Sequence, residues 1–197
     1  HTPTRRQRQM CIRDRYGPNQ NILFRLDSKN TILNKKIMPA EKKGIKIISM
    51  GNILNYDDAA IWRGPMLSGA IKKLINDTVW DNLDYLLIDM PPGTGDAYLT
   101  VFKELNIDEF ILITTPNKLA ISDTQKTITM LRKLNINILG FISNNIFNVK
   151  NFDDSFFLSN KIDHLGTYDF DKNILDLNLD FNCLVSNKIS KVIMSDV

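Results

Sequence analysis

From Gly44 onward the apolar residues of this chain alternate between two rhythms, one of strand type and one of helix type. Ile45-Lys46-Ile47-Ile48-Ser49 is a short β-branched run closed by the turn residues Gly51 and Asn52, and it predicts a strand. Pro65 suits the opening of a helix, because its missing N–H would be unpaired in the first turn anyway. Behind it Met66, Leu67, Ala70, Ile71, Leu74 and Ile75 fall at helical spacing, with Lys72, Lys73 and Asp77 between them. Tyr85 to Asp89 predicts a second strand, continuously apolar as in a sheet covered on both faces. Phe110 to Thr114 predicts a third. A helix is expected over 119–134, with Ile121, Ile128, Leu131 and Leu134 on one side, and Ile138 to Ser143 predicts a fourth strand. After Asn145 the pattern weakens: 146–197 is rich in Asn, Asp and Lys, and only one helix or two and a short strand near His164-Leu165-Gly166 can be read there.

Strands separated by amphipathic helices define an α/β protein with a mainly parallel sheet flanked by helices. In such sheets ligands bind beyond the carboxyl ends of the strands, so the chemistry is expected immediately after each strand. A chain of 197 residues, 43% hydrophobic, is long enough for a real core. No stretch approaches the roughly 20 consecutive apolar residues of a membrane span. The two cysteines, Cys11 and Cys183, cannot form a disulfide framework, so a reducing compartment and a soluble, cytoplasmic protein are expected.

The net charge of +3 changes meaning once it is located. Residues 1–15 hold five arginines (Arg5, Arg6, Arg8, Arg13, Arg15) against one acid, Asp14, which leaves the rest of the chain at −1. A basic arm for nucleic acid or membrane is one reading of that leader, and a transit peptide is another. A transit peptide needs an apolar face, which the leader lacks. The third reading is preferred: Met10-Cys11-Ile12-Arg13-Asp14 is what the bases ATG TGT ATA AGA GAC encode, a string that resembles a transposon-end sequencing adaptor. Residues 1–15 are therefore expected to be non-native, ahead of a partial domain over 16–197 whose segment 146–197 diverges. No nucleic-acid or membrane partner is expected.

The most informative segment is Asp89-Met90-Pro91-Pro92-Gly93-Thr94-Gly95-Asp96. A carboxylate at the tip of a buried strand can hold Mg²⁺ through its water shell or orient an attacking water beside a phosphate. The two prolines stiffen the chain, Gly93 and Gly95 let the backbone approach a terminal phosphate, Thr94 adds a hydroxyl, and Asp96 is placed to cap a following helix. A hydrophobic strand ending in Asp is by itself an ordinary turn; the whole string is not.

That string resembles the switch II region, DxPPGTGD, of the Mrp/ApbC/Nbp iron–sulfur cluster carrier family of P-loop ATPases. Other pieces follow in the family's order. Tyr16-Gly17-Pro18-Asn19 resembles its YGP[SN], and Trp62-Arg63-Gly64-Pro65-Met66 its WRGPM, which separates it from the related MinD and ParA ATPases. Thr114-Thr115-Pro116 is similar to its TTP, Ala120 to Asp123 to its ALAD, and Gly140 to Asn144 to its GxVEN, with Ser143 in place of the Glu. The resemblance covers roughly 16–145. It implies a MinD/ParA-like P-loop NTPase fold of the SIMIBI class, with Asp89 as the switch II carboxylate and Gly93, Thr94 and Gly95 at the nucleotide. It makes Asn144 the reader of the adenine, since an amide offers both a donor and an acceptor. Without the family, a turn cap would be the simpler reading of Asn144. Trp62 and Arg63 mark a characteristic loop whose role is less defined.

Two family features are missing. No glycine-rich GK[ST] loop occurs in this sequence, so the resemblance implies a fold without its first strand and Walker A motif. The family's CxxC, through which two subunits share a [4Fe-4S] cluster, has no counterpart in Asn145-Ile146-Phe147-Asn148-Val149-Lys150-Asn151. Cys183 is expected to be a buried thiol, and no metal ligands are assigned. By resemblance the parent protein is an ATP- and Mg²⁺-dependent cluster carrier, a homodimer serving apo iron–sulfur proteins, and this chain alone is expected to be inactive. A MinD/ParA-like positioning or partitioning ATPase and a non-functional gene remnant are the alternatives.

Overall fold

A computed structural model describes residues 7–11, 24–26, 31–42, 44–50, 64–146, 148–149 and 153–170. The chain divides into two compact units, His1–Asn106 and Ile107–Val197.

The first unit is built on a four-stranded sheet. Its strands are β1 (Gln7–Cys11), β4 (Ala40–Lys42), β5 (Ile45–Ser49) and β6 (Tyr85–Asp89), in the order β4-β5-β1-β6. β1 runs parallel to β5 and to β6, and β4 is antiparallel to β5. In register, Ser49, Cys11 and Asp89 lie side by side at the carboxyl ends of β5, β1 and β6. Strand β1 falls within the leader expected to be non-native. Its pairing uses backbone N–H and C=O groups, which nearly every residue carries, so a place in the sheet says nothing about the origin of the codons.

Two helices complete this unit: α1 (Gly64–Asn76), entered through Pro65 as expected, and α2 (Asp96–Glu104). They pack on each other, and Leu67, Ala70, Ile71 and Leu74 of α1 and Ala97, Tyr98 and Val101 of α2 are buried. A polar ladder runs beside this apolar seam. Thr100 Oγ1 donates to Ser68 Oγ at 2.9 Å, Lys72 pairs with Glu104 at 2.8 Å, and Asn76 Nδ2 donates to Glu104 Oε2 at 3.1 Å. The Lys72 and Asn76 donors hold the Glu104 carboxyl below its ordinary pKa. A hairpin, β2 (Thr31–Leu33) and β3 (Lys36–Met38), is strapped to the end of α1: Ile37 N–H donates to Asp77 O at 2.8 Å, and Val79 N–H to Ile37 O at 2.9 Å.

The expectation that β6 is covered on both faces is corrected. β6 ends the strand order of its sheet, and Leu87 is 48% exposed. Met66, assigned to the apolar stripe of α1, is exposed as well, immediately before the buried Leu67.

The second unit is a three-stranded parallel sheet, β7 (Glu109–Thr114), β8 (Asn137–Asn145) and β9 (His164–Asp169), in that order. Helix α3 (Lys118–Lys133) connects β7 to β8, and the short α4 (Ser155–Ser159) precedes β9. Ile128 and Leu131 of α3 are buried, whereas Leu134 falls just past the helix and is exposed. Phe141 stacks between two rings, Phe157 at 4.0 Å and His164 at 4.6 Å. Arg132 ties α3 to the turn after α4, donating to Asn160 Oδ1 at 2.9 Å and to Asn160 O at 2.6 Å.

Gly140 sits where β8 and β9 approach most closely. A Cβ there would lie 2.6 Å from Asp163 O and 2.6 Å from Leu165 Cγ, and the adjacent Phe141 N–H already donates to Asp163 O at 2.8 Å. Neither neighbour can retreat without breaking that bond or the Ile142–Leu165 packing. Gly140→Ala is expected to cost about 2–3 kcal/mol through overpacking, measured as a lower denaturant midpoint at unchanged m-value.

Candidate functional site

Asp89 ends strand β6, half-buried, and the chain then turns through Met90, Pro91 and Pro92. Prolines have no N–H, so the backbone of Pro91 and Pro92 can be anchored only through its carbonyls. The anchor is Tyr98, whose hydroxyl donates to Pro91 O at 3.0 Å. Gly93 has φ +99, a conformation that side-chain-bearing residues rarely adopt, which accounts for glycine there. Gly95 is different. Its φ is −85 and no described residue lies within 4 Å of where a Cβ would stand, so neither backbone strain nor crowding among the described residues requires glycine. Pro92 to Asp96 are all exposed.

Asp96 was expected to cap α2, and this is corrected. Gly95 is the N-cap and no side chain caps the helix; Asp96 is the first helical residue, where its carboxylate meets the positive end of the helix dipole. The turn between β6 and α2 therefore presents backbone N–H groups that no side chain of its own occupies.

Tyr98 is the residue that sequence reasoning missed. It lies in the first turn of α2, 5% exposed, with its ring edge-on to Phe102 at 6.0 Å. Burial, and then the nearby negative charge of Asp89, push its hydroxyl up to about pKa 12. It is therefore a hydrogen-bond donor throughout the physiological range. The signal in the sequence is slight: an aromatic residue two positions after the last letter of the motif.

In the second unit the TTP segment closes β7. Asn117 caps α3 by accepting from Ala120 N–H at 2.8 Å, and its Nδ2 donates to Thr115 Oγ1 at 2.7 Å. Thr124 of α3 donates to Thr114 Oγ1 at 3.2 Å. At the end of β8 two adjacent asparagines divide the work. Asn145 is buried and fully used: its Nδ2 donates to Asp169 Oδ1 at 2.8 Å and to Val149 O at 3.1 Å, and its Oδ1 accepts from Val149 N–H at 2.8 Å. Asn144 is half-buried on the opposite face of the strand, and its amide has no hydrogen-bond partner among the described residues. The turn cap is Asn145.

Asp89, Gly93, Thr94 and Gly95 thus share one turn of the first unit, while Asn144 belongs to the second. Trp62, Arg63, the Tyr16–Asn19 segment and Cys183 lie outside the described residues. Among the described residues no group of three or more His, Cys, Asp or Glu could hold a metal ion, and no helix is long and apolar enough to cross a membrane.

Parallel strands with a carboxylate at one tip, followed by a stiff proline–glycine turn into a helix, define a P-loop NTPase of the MinD/ParA type. Residues 5–169 match the family described as ParA: NUBPL iron-transfer P-loop NTPase, and the chain belongs to that family. The iron-sulfur cluster carrier protein of Rickettsia conorii is 42% identical over 138 residues, which are 70% of this chain and 43% of that protein. Less than half the length of the curated relatives it matches is spanned by the chain. Among solved structures, the nucleotide-binding protein from Archaeoglobus fulgidus in complex with ADP superposes with a TM-score of 0.68 at 24% identity, over 93% of this chain and 74% of its own. The Pyrococcus furiosus cell division ATPase MinD gives 0.69 at 16% identity, over 98% and 87%. These two establish the fold.

The raised pKa of Tyr98 has a consequence at high pH. Below pH 10 the phenol is protonated in folded and unfolded chains alike, and its contribution is fully present. Between pH 10 and about 12 the unfolded chain loses the proton first, so stability falls as pH rises through this window. A shift of this size corresponds to about 2–3 kcal/mol. Absorbance titration at 295 nm is expected to show one of the five tyrosines ionising near pH 12 or only on unfolding, and Tyr98→Phe is expected to remove that late component.

Proposed function

We propose that the chain is the nucleotide-sensing part of an ATP-dependent iron–sulfur cluster carrier. The observation that carries this reading is the Asp89–Asp96 turn, with its exposed tip, its helix N-terminus without a side-chain cap and a glycine at position 95 that none of the described residues demands. Family membership and relatives named as cluster carriers at about 40% identity support it.

In this reading the phosphate cradle lies on a preceding segment of the parent protein. The N–H groups at Gly93 to Asp96 face the terminal phosphate, Thr94 adds a hydroxyl, and Asp89 holds the water shell of Mg²⁺ or orients the attacking water. The free amide of Asn144 reads the N6/N7 edge of adenine. ATP with Mg²⁺ supplies the energy of a phosphoanhydride bond. The parent is a cytoplasmic homodimer that delivers its cargo to apo iron–sulfur proteins, and residues 1–15 are not part of it. A [4Fe-4S] cluster is that cargo, and the described residues do not fit it: there is no cluster of thiolates, and 145–151 contains no cysteine. That absence favours a second reading, a MinD/ParA-like ATPase that positions or partitions rather than carries metal.

Reconstituting the parent protein anaerobically with ferrous iron and sulfide separates the two. The carrier reading expects charge-transfer absorbance and acid-labile sulfide; a colourless protein that still hydrolyses ATP would establish the second reading instead. Gly95 supplies the other test. Gly95→Ala is expected to cost at most about 1 kcal/mol of stability, as an altered N-cap. It is expected to weaken ATP binding about tenfold or more, because the new methyl stands where a phosphate oxygen approaches. Unchanged ATP affinity by titration calorimetry would remove the phosphate from this turn.

A further inference from the structure

We propose that Tyr98 is a positioning residue: it clamps both ends of the Pro91–Gly95 turn and so sets the direction in which the amides of Gly93 to Asp96 point. The inference rests on the reading of this turn as a phosphate sensor, and it assigns to that turn the part that holds it in shape.

The clamp is visible in two hydrogen bonds made by one residue. The Tyr98 hydroxyl donates to Pro91 O at the entrance of the turn, at 3.0 Å, and the Tyr98 N–H donates to Gly95 O at its exit, also at 3.0 Å. The first reaches back because helical side chains lean toward the N-terminus, and a residue in the first turn of α2 therefore overlies the segment that precedes the helix. The second is the ordinary bond of a first helical turn, closed on the N-cap carbonyl. Between these fixed points the tip is exposed, and it contains the one residue of the turn held at positive φ, Gly93.

Pro91 and Pro92 have no N–H to give, and no side chain caps the helix. Remove the phenol and the segment keeps its covalent stiffness but loses the point that fixes its rotation about Asp89. The ring itself is immobilised by burial and by Phe102 one turn along the helix, so the hydroxyl is held where Pro91 needs it. A phosphate-sensing turn has to present its amides in one direction before the nucleotide arrives, since hydrogen-bond donors stabilise developing charge best when no reorganisation is required.

The test uses Tyr98→Phe, which keeps ring, volume and packing and removes one oxygen. Backbone order parameters from nitrogen-15 relaxation on the 197-residue chain are read at 93–96, with a helix interior such as 70–74 as the internal reference. The expected result is a fall at 93–96 from about 0.85, the value of rigid backbone, to about 0.6 or below, with 70–74 unchanged. In the parent ATPase the same variant is expected to lower kcat roughly ten- to a hundredfold, with KM within about twofold, because misdirected donors act on the transition state more than on ground-state binding. A merely structural role would lower the melting temperature and leave that split unmoved. Unchanged order parameters at 93–96 overturn the proposal whatever the kinetics. Lower order parameters with full kcat overturn it too, since the turn would then work without its clamp. If the wild-type parent neither binds nor hydrolyses ATP while the order parameters at 93–96 still respond to Tyr98→Phe, the clamp stands and the nucleotide reading falls.

Discussion

A strand of a parallel sheet spends its backbone groups on its neighbours, and within its length apolar side chains suit the packing on the sheet faces. Polar chemistry is therefore driven to the carboxyl ends, where the chain leaves the sheet. Strand β6 is apolar through Leu86, Leu87 and Ile88 and becomes ionic at Asp89; β7 is apolar through Leu112 and Ile113 and becomes polar at Thr114; β8 changes at Ser143 to Asn145. Everything attributed to function sits within a few residues of those changes. The constraint acts on each unit separately, so two sheets described apart carry the same grammar at their strand ends.

The same constraint explains which parts of the structure were legible in the sequence. β5, α1, β6, β7, α3 and β8 were read to within a few residues, because each buries one face or both and leaves the period of that burial in its composition. The hairpin β2–β3 was not foreseen. Its turn residues are Asn34 and Lys35, both at positive φ, and lysine in that conformation does not give the Asn-Gly signal by which a two-residue turn is recognised. Ile32 and Leu33 are exposed, so no alternating burial marks the strand either. The uninterrupted apolar run of β6 pointed to cover on both faces; periodicity measures hydrophobicity, and the exposure of Leu87 depends on which strand ends the sheet.

The candidate site was legible in its letters and not in its supports. Asp89, Gly93, Thr94 and Gly95 belong to a string too specific to be an ordinary turn, whereas Tyr98 acts through a single hydroxyl whose reach depends on the start of α2. The two asparagines show the same limit. Sequence alone could not say which of Asn144 and Asn145 caps the turn, and the answer turns on strand parity: Asn145 shares the face of Ser143, toward the interior, and is consumed by Val149 and Asp169. Ser143 itself is a residue whose chemistry did not survive into contacts. It is fully buried, in register with Thr114 and Thr167, and its hydroxyl has no hydrogen-bond partner among the described residues. A larger acidic side chain stands there in the pattern the segment resembles, and a serine left unpaired at that point is a cost the fold tolerates rather than a support for it.

The two motif-bearing loops of the first unit each lead into a helix, and the helices are not independent. α1 begins immediately after the Trp62-Arg63 loop, and α2 immediately after the Asp89–Gly95 turn. Along their seam the polar partners recur every four residues on both sides, Ser68, Lys72 and Asn76 facing Thr100 and Glu104. An exposed ion pair such as Lys72–Glu104 adds little stability by itself. Its value here is geometric: polar contacts at three positions of α1 spaced one turn apart oppose sliding of one helix along the other, which apolar packing alone would resist only weakly. A displacement of the turn that moved α2 along its axis would therefore have to carry α1 with it. Tyr98 sits at the origin of that path, since the residue that holds Pro91 is also the residue that starts the buried face of α2.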